Sequence, residues 1–319
     1  MAFINTGRHV SSSSTSWNYR GSISGFSLGG ANHYGGGGTG VWYFYADILS
    51  HSFTTDGDAV DSTGNLQSAR HALVGFSSET HSFAAGGNGV NIIESFSNTN
   101  PAAGSTDLAD LTAVYGGTPV SGLTHGYHIR AAGVNGIDKF AFANTVNAVG
   151  VGNLLFNHGN SRYMGSTDSN ANYGYVAGAA APNNTAIERF SFDNESITND
   201  VGDCTVGDGE TAGCSSETHG YAMGNGVGVT NIDKYIFASS ANAVDVGDLP
   251  HNANLWSSVQ TGGGRGNGMS STTHGYVAGG ELYTSIDKFA FANESTQARV
   301  GEIGGGLTTL RAHHGSSHY

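Results

Sequence analysis

IDKFAFAN at 137–144 decides the reading of this chain, because it returns as IERFSFDN at 187–194, IDKYIFAS at 232–239 and IDKFAFAN at 286–293. Two weaker copies, ILSHSF at 48–53 and IESFSN at 93–98, keep the leading isoleucine and a later phenylalanine in register. The leading residues are Ile48, Ile93, Ile137, Ile187, Ile232 and Ile286, spaced 44 to 54 residues apart. A period in that range signals a solenoid, propeller or array. Six copies fill the 319 residues.

Two further anchors flank each isoleucine. Ahead of it comes an aromatic residue followed by small residues and glycine: GFSLGG (25–30), HSFAAGG (81–87), HGYHIRAAG (125–133), YGYVAGA (173–179), HGYAMG (219–224) and HGYVAGG (274–280). After it come VDSTGNL (60–66), STDL (105–108), VGNL (151–154), VGDC (201–204), VGDL (246–249) and VGEI (300–303). A variable stretch, ending in sequences such as SSET or SSTT, leads to the next aromatic anchor. Each unit thus holds four short extended segments separated by Gly, Asn, Asp and Ser, the pattern of strands and turns.

Alternation along these strands gives every sheet two buried faces. In 137–142, Asp138, Phe140 and Phe142 share one face and Ile137, Lys139 and Ala141 the other. His219, Tyr221 and Met223 lie opposite Gly220, Ala222 and Gly224, a bulky face against a bare one that lets adjacent sheets interlock. The expected fold is all-β, a six-bladed propeller of four-stranded antiparallel blades. The chain stops after LTTLRAHHGSSHY (307–319), where another aromatic anchor would begin. A C-terminal strand within about 306–319 is therefore expected to complete the first blade and close the ring. Residues 1–20 read as a Ser-rich N-terminal arm and 21–319 as the propeller.

The glycine pairs, the aromatic strand after them and the loop NLQSAR (65–70) resemble the kelch-repeat β-propeller. More narrowly, SSTTHGYVAGG…IDKFAFAN and NAVDVGDL resemble kelch-like repeats in virion structural proteins of marine bacteriophages of the cyanophage type. The resemblance spans roughly residues 25–319. It departs from the family in lacking the kelch tryptophan and in the loss of the basic residue from copies one and two. It implies a particle component, assembled in the host cytoplasm and present in multiple copies. Other virion proteins and a host-surface glycan or protein are the implied partners.

Composition narrows the functional classes. The chain has a formal charge of −13, only 12 Lys+Arg, and 12% charged residues, about half the usual ~25%. That disfavours a nucleic-acid binder, which needs clustered cations facing phosphates. The 51 glycines disfavour helix. No run approaches the ~18 apolar residues of a membrane span, so no membrane insertion is expected. MAFINTGRHVSSSSTSW (1–17) lacks the apolar core of a signal peptide.

His81, His125, His219 and His274 occupy one repeat position, with Tyr173 in the fourth copy. Copies in different blades lie too far apart to share an ion with bonds near ~2.1 Å, so the expected role is structural, an imidazole hydrogen-bonded at a hairpin. His313, His314 and His318 lack acidic neighbours in sequence. The three lysines, Lys139, Lys234 and Lys288, also share one position, with Arg189 in the fourth copy. An ion pair per blade is expected, to the third-anchor carboxylates Asp203, Asp248 and Glu302 or to a neighbour. Cys204 and Cys214 flank one turn and are expected as thiols in a reducing compartment.

Ser166-x-Asp168-x-Asn170-x-Asn172-Tyr173 resembles in part the Asp-box turn of six-bladed sialidases, without its glycine; a diverged SSET segment accounts for it. Arg130, Arg162, Arg265 and Arg311 follow no shared pattern, and Gly-x-Ser-x-Gly, HExxH and phosphate-loop motifs are absent. The expectation is a non-enzymatic phage virion structural protein without a cofactor, attached to tail or capsid. In this reading its propeller loops contact a host surface or other subunits, and Phe3, Ile4, Trp17 and Tyr19 of the arm provide the attachment. The alternatives are a carbohydrate-binding or sialidase-like propeller and an intracellular kelch adaptor.

Overall fold

A computed structural model describes residues 21, 23–34, 41–87, 89–114, 117–130, 135–156, 166–179, 184–207, 211–224, 229–250, 267–279, 284–294, 297–304 and 316–317. The first sheet contains β1 (Ser24–Tyr34), β2 (Val41–Ser52) and β3 (Val60–Asn65). The second is β4 (Val74–Ser77), β5 (His81–Ala85), β6 (Ile92–Ser97) and β7 (Thr106–Asp110). The third is β8 (Gly117–Ser121), β9 (His125–Arg130), β10 (Gly136–Ala141) and β11 (Val149–Asn153). The fourth is β12 (Ser166–Ser169), β13 (Tyr173–Ala179), β14 (Asn184–Ser191) and β15 (Thr198–Asp203). The fifth is β16 (Ala212–Ser215), β17 (His219–Met223), β18 (Asn231–Ile236) and β19 (Val244–Asp248). The sixth is β20 (Asn267–Ser270), β21 (His274–Ala278), β22 (Ser285–Ala290) and β23 (Ala298–Glu302), and β24 (Ser316–Ser317) follows.

β24 pairs antiparallel with β1, through Phe26 with Ser317 and Ser27 with Ser316, giving the first blade its fourth strand. The leading strands then neighbour one another in the cycle β24, β4, β8, β12, β16, β20. Six four-stranded antiparallel blades form a closed propeller. Gly21 adds a second stitch at the same place: its N–H donates to Ser270 O at 3.2 Å, and its carbonyl accepts from Thr272 N at 3.1 Å. The arm, with Phe3, Ile4, Trp17 and Tyr19, and the histidines 313, 314 and 318 lie outside the described residues.

No sheet has a core of its own; the apolar side chains form six clusters, each shared by two adjacent blades. Strand alternation explains this. Ile137 packs toward the fourth blade with Tyr127 and Phe190, while Phe140, three residues on, packs with Phe76 and Phe83 of the second. Closure lets each sheet bury both faces, which an isolated four-stranded sheet cannot do. Cys204 lies in the junction of the fourth and fifth blades and Cys214 in that of the fifth and sixth, so the two thiols belong to different cores.

The HGY glycine is imposed by this packing. A Cβ at Gly126 would sit 2.4 Å from the Phe140 ring and 3.1 Å from Phe76. The VGD glycine serves another purpose. All six blades carry a register shift just after the leading residues of the third strand, and Gly202 and Gly247, on the strands opposite, have φ of +154° and +152°.

The two ends of the wheel differ. At one end, turns of three residues (78–80, 122–124, 170–172, 216–218, 271–273) alternate with third-to-fourth-strand turns of six to eight residues. At the other emerge the second-to-third-strand loops and the blade-to-blade connections, which run from 111–116 to as long as 249–266. The first blade's central hairpin is also longest there, its ladder continuing to Tyr34 and Val41.

Candidate functional site at the blade junctions

Each of the three repeated lysines meets its partner across a junction. Lys139 Nζ lies 2.5 Å from Glu195 Oε1 of the fourth blade, and Lys234 Nζ lies 2.5 Å from Glu294 Oε1 of the sixth. Lys288 pairs with Asp56 of the first blade. The acid always comes from the third-to-fourth-strand turn of the following blade, eight residues after its leading isoleucine. The third-anchor carboxylates are engaged elsewhere: Asp203 and Asp248 accept from Thr185 and Thr230 Oγ1 at 2.7 and 2.6 Å, and Glu302 accepts from Thr284.

An aromatic residue on the second strand completes each charged junction. Tyr127 and Tyr221 donate their hydroxyls to Glu195 and Glu294, each at 3.3 Å. Their rings stack on Phe192 and Phe291 of the following blade, with centroids 4.8 and 5.2 Å apart. Tyr276 stacks likewise on Phe53, at 4.6 Å. Burial pushes these tyrosines far above the usual phenol range, and the facing carboxylate adds to the rise. Burial also raises the Glu195 carboxyl, but hydrogen bonds and the Lys139 charge outweigh it, so its pKa falls below the ordinary range.

The remaining junctions follow a rule with one departure. Where Ser50 and Ser95 replace the cation, Pro101 and Thr145 replace the acid, and Phe26 and Phe83 replace the tyrosine. For Arg189 the cation is kept, but the position eight residues after the next leading isoleucine is the uncharged Ser240. Its guanidinium lies over the Tyr173 ring, 4.4 Å from the centroid, and its Nε is buried without a hydrogen-bond partner. Tyr175 here donates to the Phe237 carbonyl at 3.2 Å and accepts from Asn170 Nδ2 at 3.3 Å.

The repeated histidines open the second strands directly after the three-residue turns, each bonded through Nδ1 to the threonine that ends the turn: Thr80, Thr124, Thr218 and Thr273, at 2.7 to 2.8 Å. Ser78, Ser216 and Ser271 hydroxyls brace the same turns by bonding the histidine backbone. In the fourth blade Asn170 Oδ1 takes that place, accepting from Asn172 N and Tyr173 N at 2.9 Å each. That is the physical content of the partial Asp-box wording. Burial and a nearby lysine lower the pKa of His125, His219 and His274. Among the described residues, no group of three or more His, Cys, Asp or Glu could hold a metal ion.

The sequence reading missed a row of buried acids. Glu94, Asp138, Glu188, Asp233 and Asp287, at the position before the cation, are all buried; Leu49 occupies it in the first blade. Four of them anchor the incoming blade-to-blade connection. Gln67 N donates to Glu94 at 2.7 Å, Leu155 N to Glu188 at 2.5 Å and Thr205 N to Asp233 at 2.7 Å, while Thr112 Oγ1 donates to Asp138 at 2.5 Å. Arg70 forms a buried ion pair with Glu94. The available signal was an acid at this position in five of six copies.

The third blade adds His128, wholly buried, with Nδ1 4.0 Å from Asp138 and Arg130 Nε 3.5 Å from the same carboxylate. Burial, then the Arg130 charge, lower the His128 pKa to about 3, so it stays neutral. Arg162, Arg265 and Arg311 lie outside the described residues. Around the axis, Ser77 N donates to Ser121 Oγ at 3.0 Å, Ser169 N to Ser215 Oγ at 3.2 Å and Ser215 N to Ser270 Oγ at 2.9 Å, joining successive inner strands.

No protein-family model matches the chain, and no curated protein matches it in sequence. What the geometry establishes is a six-bladed propeller, a fold consistent with a protein-interaction module. The charges of its repeat act mainly between blades.

Proposed function

We propose that this chain is a non-enzymatic component of a phage particle, attached to tail or capsid, whose propeller presents its connections to a host surface or to neighbouring subunits. The observation that carries the reading is the inequality of the two ends. Turns of near-constant length occupy one end, and connections of divergent length and sequence leave from the other. A rigid scaffold with variable loops at one rim is the usual arrangement for recognition. The long hairpin of the first blade presents Tyr43 and Phe44 there, 52% and 39% exposed, with Phe44 stacked on His71 at 4.9 Å. Exposed Leu155 and Phe156 accompany them.

The virion assignment, with assembly in the host cytoplasm and several copies per particle, is supported by the resemblance of the repeat wording to phage structural proteins. The non-enzymatic assignment is supported by the repeated lysines, tyrosines and acids being engaged across junctions. Antibody against the purified chain should decorate intact particles in electron micrographs. Tyr43→Ala with Phe44→Ala should reduce binding of the chain to host cells, whereas Leu123→Ser, in a short turn at the opposite end, should not. Unlabelled particles, or turnover of fluorogenic glycosides and sialosides by the pure chain, would overturn the proposal.

A further inference from the structure

We infer that the junction of the fourth and fifth blades holds a binding site for a small carboxylate, free or as the acid group of an acidic sugar, with Arg189 as its principal ligand. The six junctions supply the argument as an internal comparison. At three of them a cation, a tyrosine hydroxyl and a following turn converge on a carboxylate that the next blade provides. At two others cation, hydroxyl and carboxylate are all missing together. Only at this junction are the cation and tyrosine retained while the carboxylate is gone.

The geometry matches that deficit. Among the described residues Arg189 has no ion pair; the residue across the ladder is Asn199, and the turn position that carries Glu195 and Glu294 elsewhere carries exposed Ser240. The neutral Tyr175 hydroxyl is the polar group beside the guanidinium, Arg189 Nε is a buried donor without a hydrogen bond, and an unmade charged hydrogen bond is costly. Tyr173, which replaces the histidine of the other blades, backs the guanidinium plane at 4.4 Å, and the Tyr175 hydroxyl lies within reach of a hydrogen bond from it. The residue change is also chemically apt. Lysine serves as a point charge where the carboxylate is built in, whereas arginine offers a planar fork that takes a carboxylate with two parallel bonds. Serine in place of glutamate removes the carboxylate that pairs with the cation at the other charged junctions.

Titration of the full chain with acetate, glucuronate and sulfate, followed by calorimetry and by the Arg189 Nε–H resonance, tests this. Acetate and glucuronate should bind saturably in the millimolar range and shift that resonance; tighter binding of glucuronate assigns an acidic sugar and equal binding a free acid. Arg189→Met should weaken binding at least about tenfold. Ser240→Glu is the second, fold-preserving variant: it restores from within the ion pair of the other junctions, so it should keep the thermal midpoint and block binding to the same extent. No binding by the unaltered chain, equal binding of sulfate, or unchanged binding in Ser240→Glu would overturn the assignment.

Discussion

Lys288 in the sixth blade is ion-paired to Asp56 in the first, across 232 positions of sequence. The pair therefore closes the ring from the side of the side chains, as β24 closes it from the side of the backbone. Both side chains remain partly exposed, at 21% and 28%, so solvent screening limits what the pair contributes. Lys288→Met and Asp56→Asn should each lower unfolding free energy by about 1 kcal/mol or less. Urea titrations should show a double mutant no worse than the singles, and a loss that shrinks at high salt.

The Arg70–Glu94 pair, buried on both sides, is a different case. Removing the cation alone strands a buried carboxylate, so Arg70→Met should cost about 3–5 kcal/mol. Combining it with Glu94→Leu should recover part of that loss in the same denaturation experiment. The chain already contains the apolar solution, since Leu49 fills the equivalent position of the first blade and packs with Ile303.

Two glycine substitutions separate packing from propensity. Gly126→Ala drives a methyl group into the Phe140 ring, 2.4 Å from the ideal Cβ, and should destabilise by about 1–3 kcal/mol. Gly150→Ala meets nothing nearer than 3.8 Å and should stay within about 0.5 kcal/mol of the unaltered chain. Thermal melts of the two variants provide the comparison.

Acidification should weaken the third blade through His128. Its folded pKa of about 3 lies below the ordinary 6.5, so below pH 6.5 the unfolded chain takes up a proton that the folded chain refuses. Stability is thus present above pH 6.5 and lost as pH falls, by about 2 kcal/mol between pH 6.5 and 5 for a group so buried. The groups facing it are Asp138, Arg130 and Thr112, the last through Asp138. His128→Gln should flatten this part of the stability profile; a slope equal to that of the unaltered chain would exclude His128 as its source.

The blade count, the four-strand unit and the ring closure were legible because each is written six times over. An error in one copy is corrected by the others. The junction chemistry was less legible, for a physical reason. Lys139 and Glu195 belong to different copies, and an alignment of repeats places partners in separate columns, so proximity in sequence pointed instead to Asp203, Asp248 and Glu302. The buried acids escaped notice because Asp138 alternates with Phe140 and Phe142, and alternation reports which face a side chain takes but not whether an incoming backbone N–H will meet it there. His128 carried no repeat signal: the same position holds Val176, Ala222 and Val277 in the next three blades.

Because each of the three ion-paired seams draws its cation from one copy and its acid from the next, the heritable unit and the mechanical unit are out of phase by one blade. Exchange or duplication of a whole copy within the gene would leave every sheet intact yet rewrite two seams at once. A wheel of this kind can therefore acquire a recognition feature through rearrangement of its parts, without any change to the strands that hold it together.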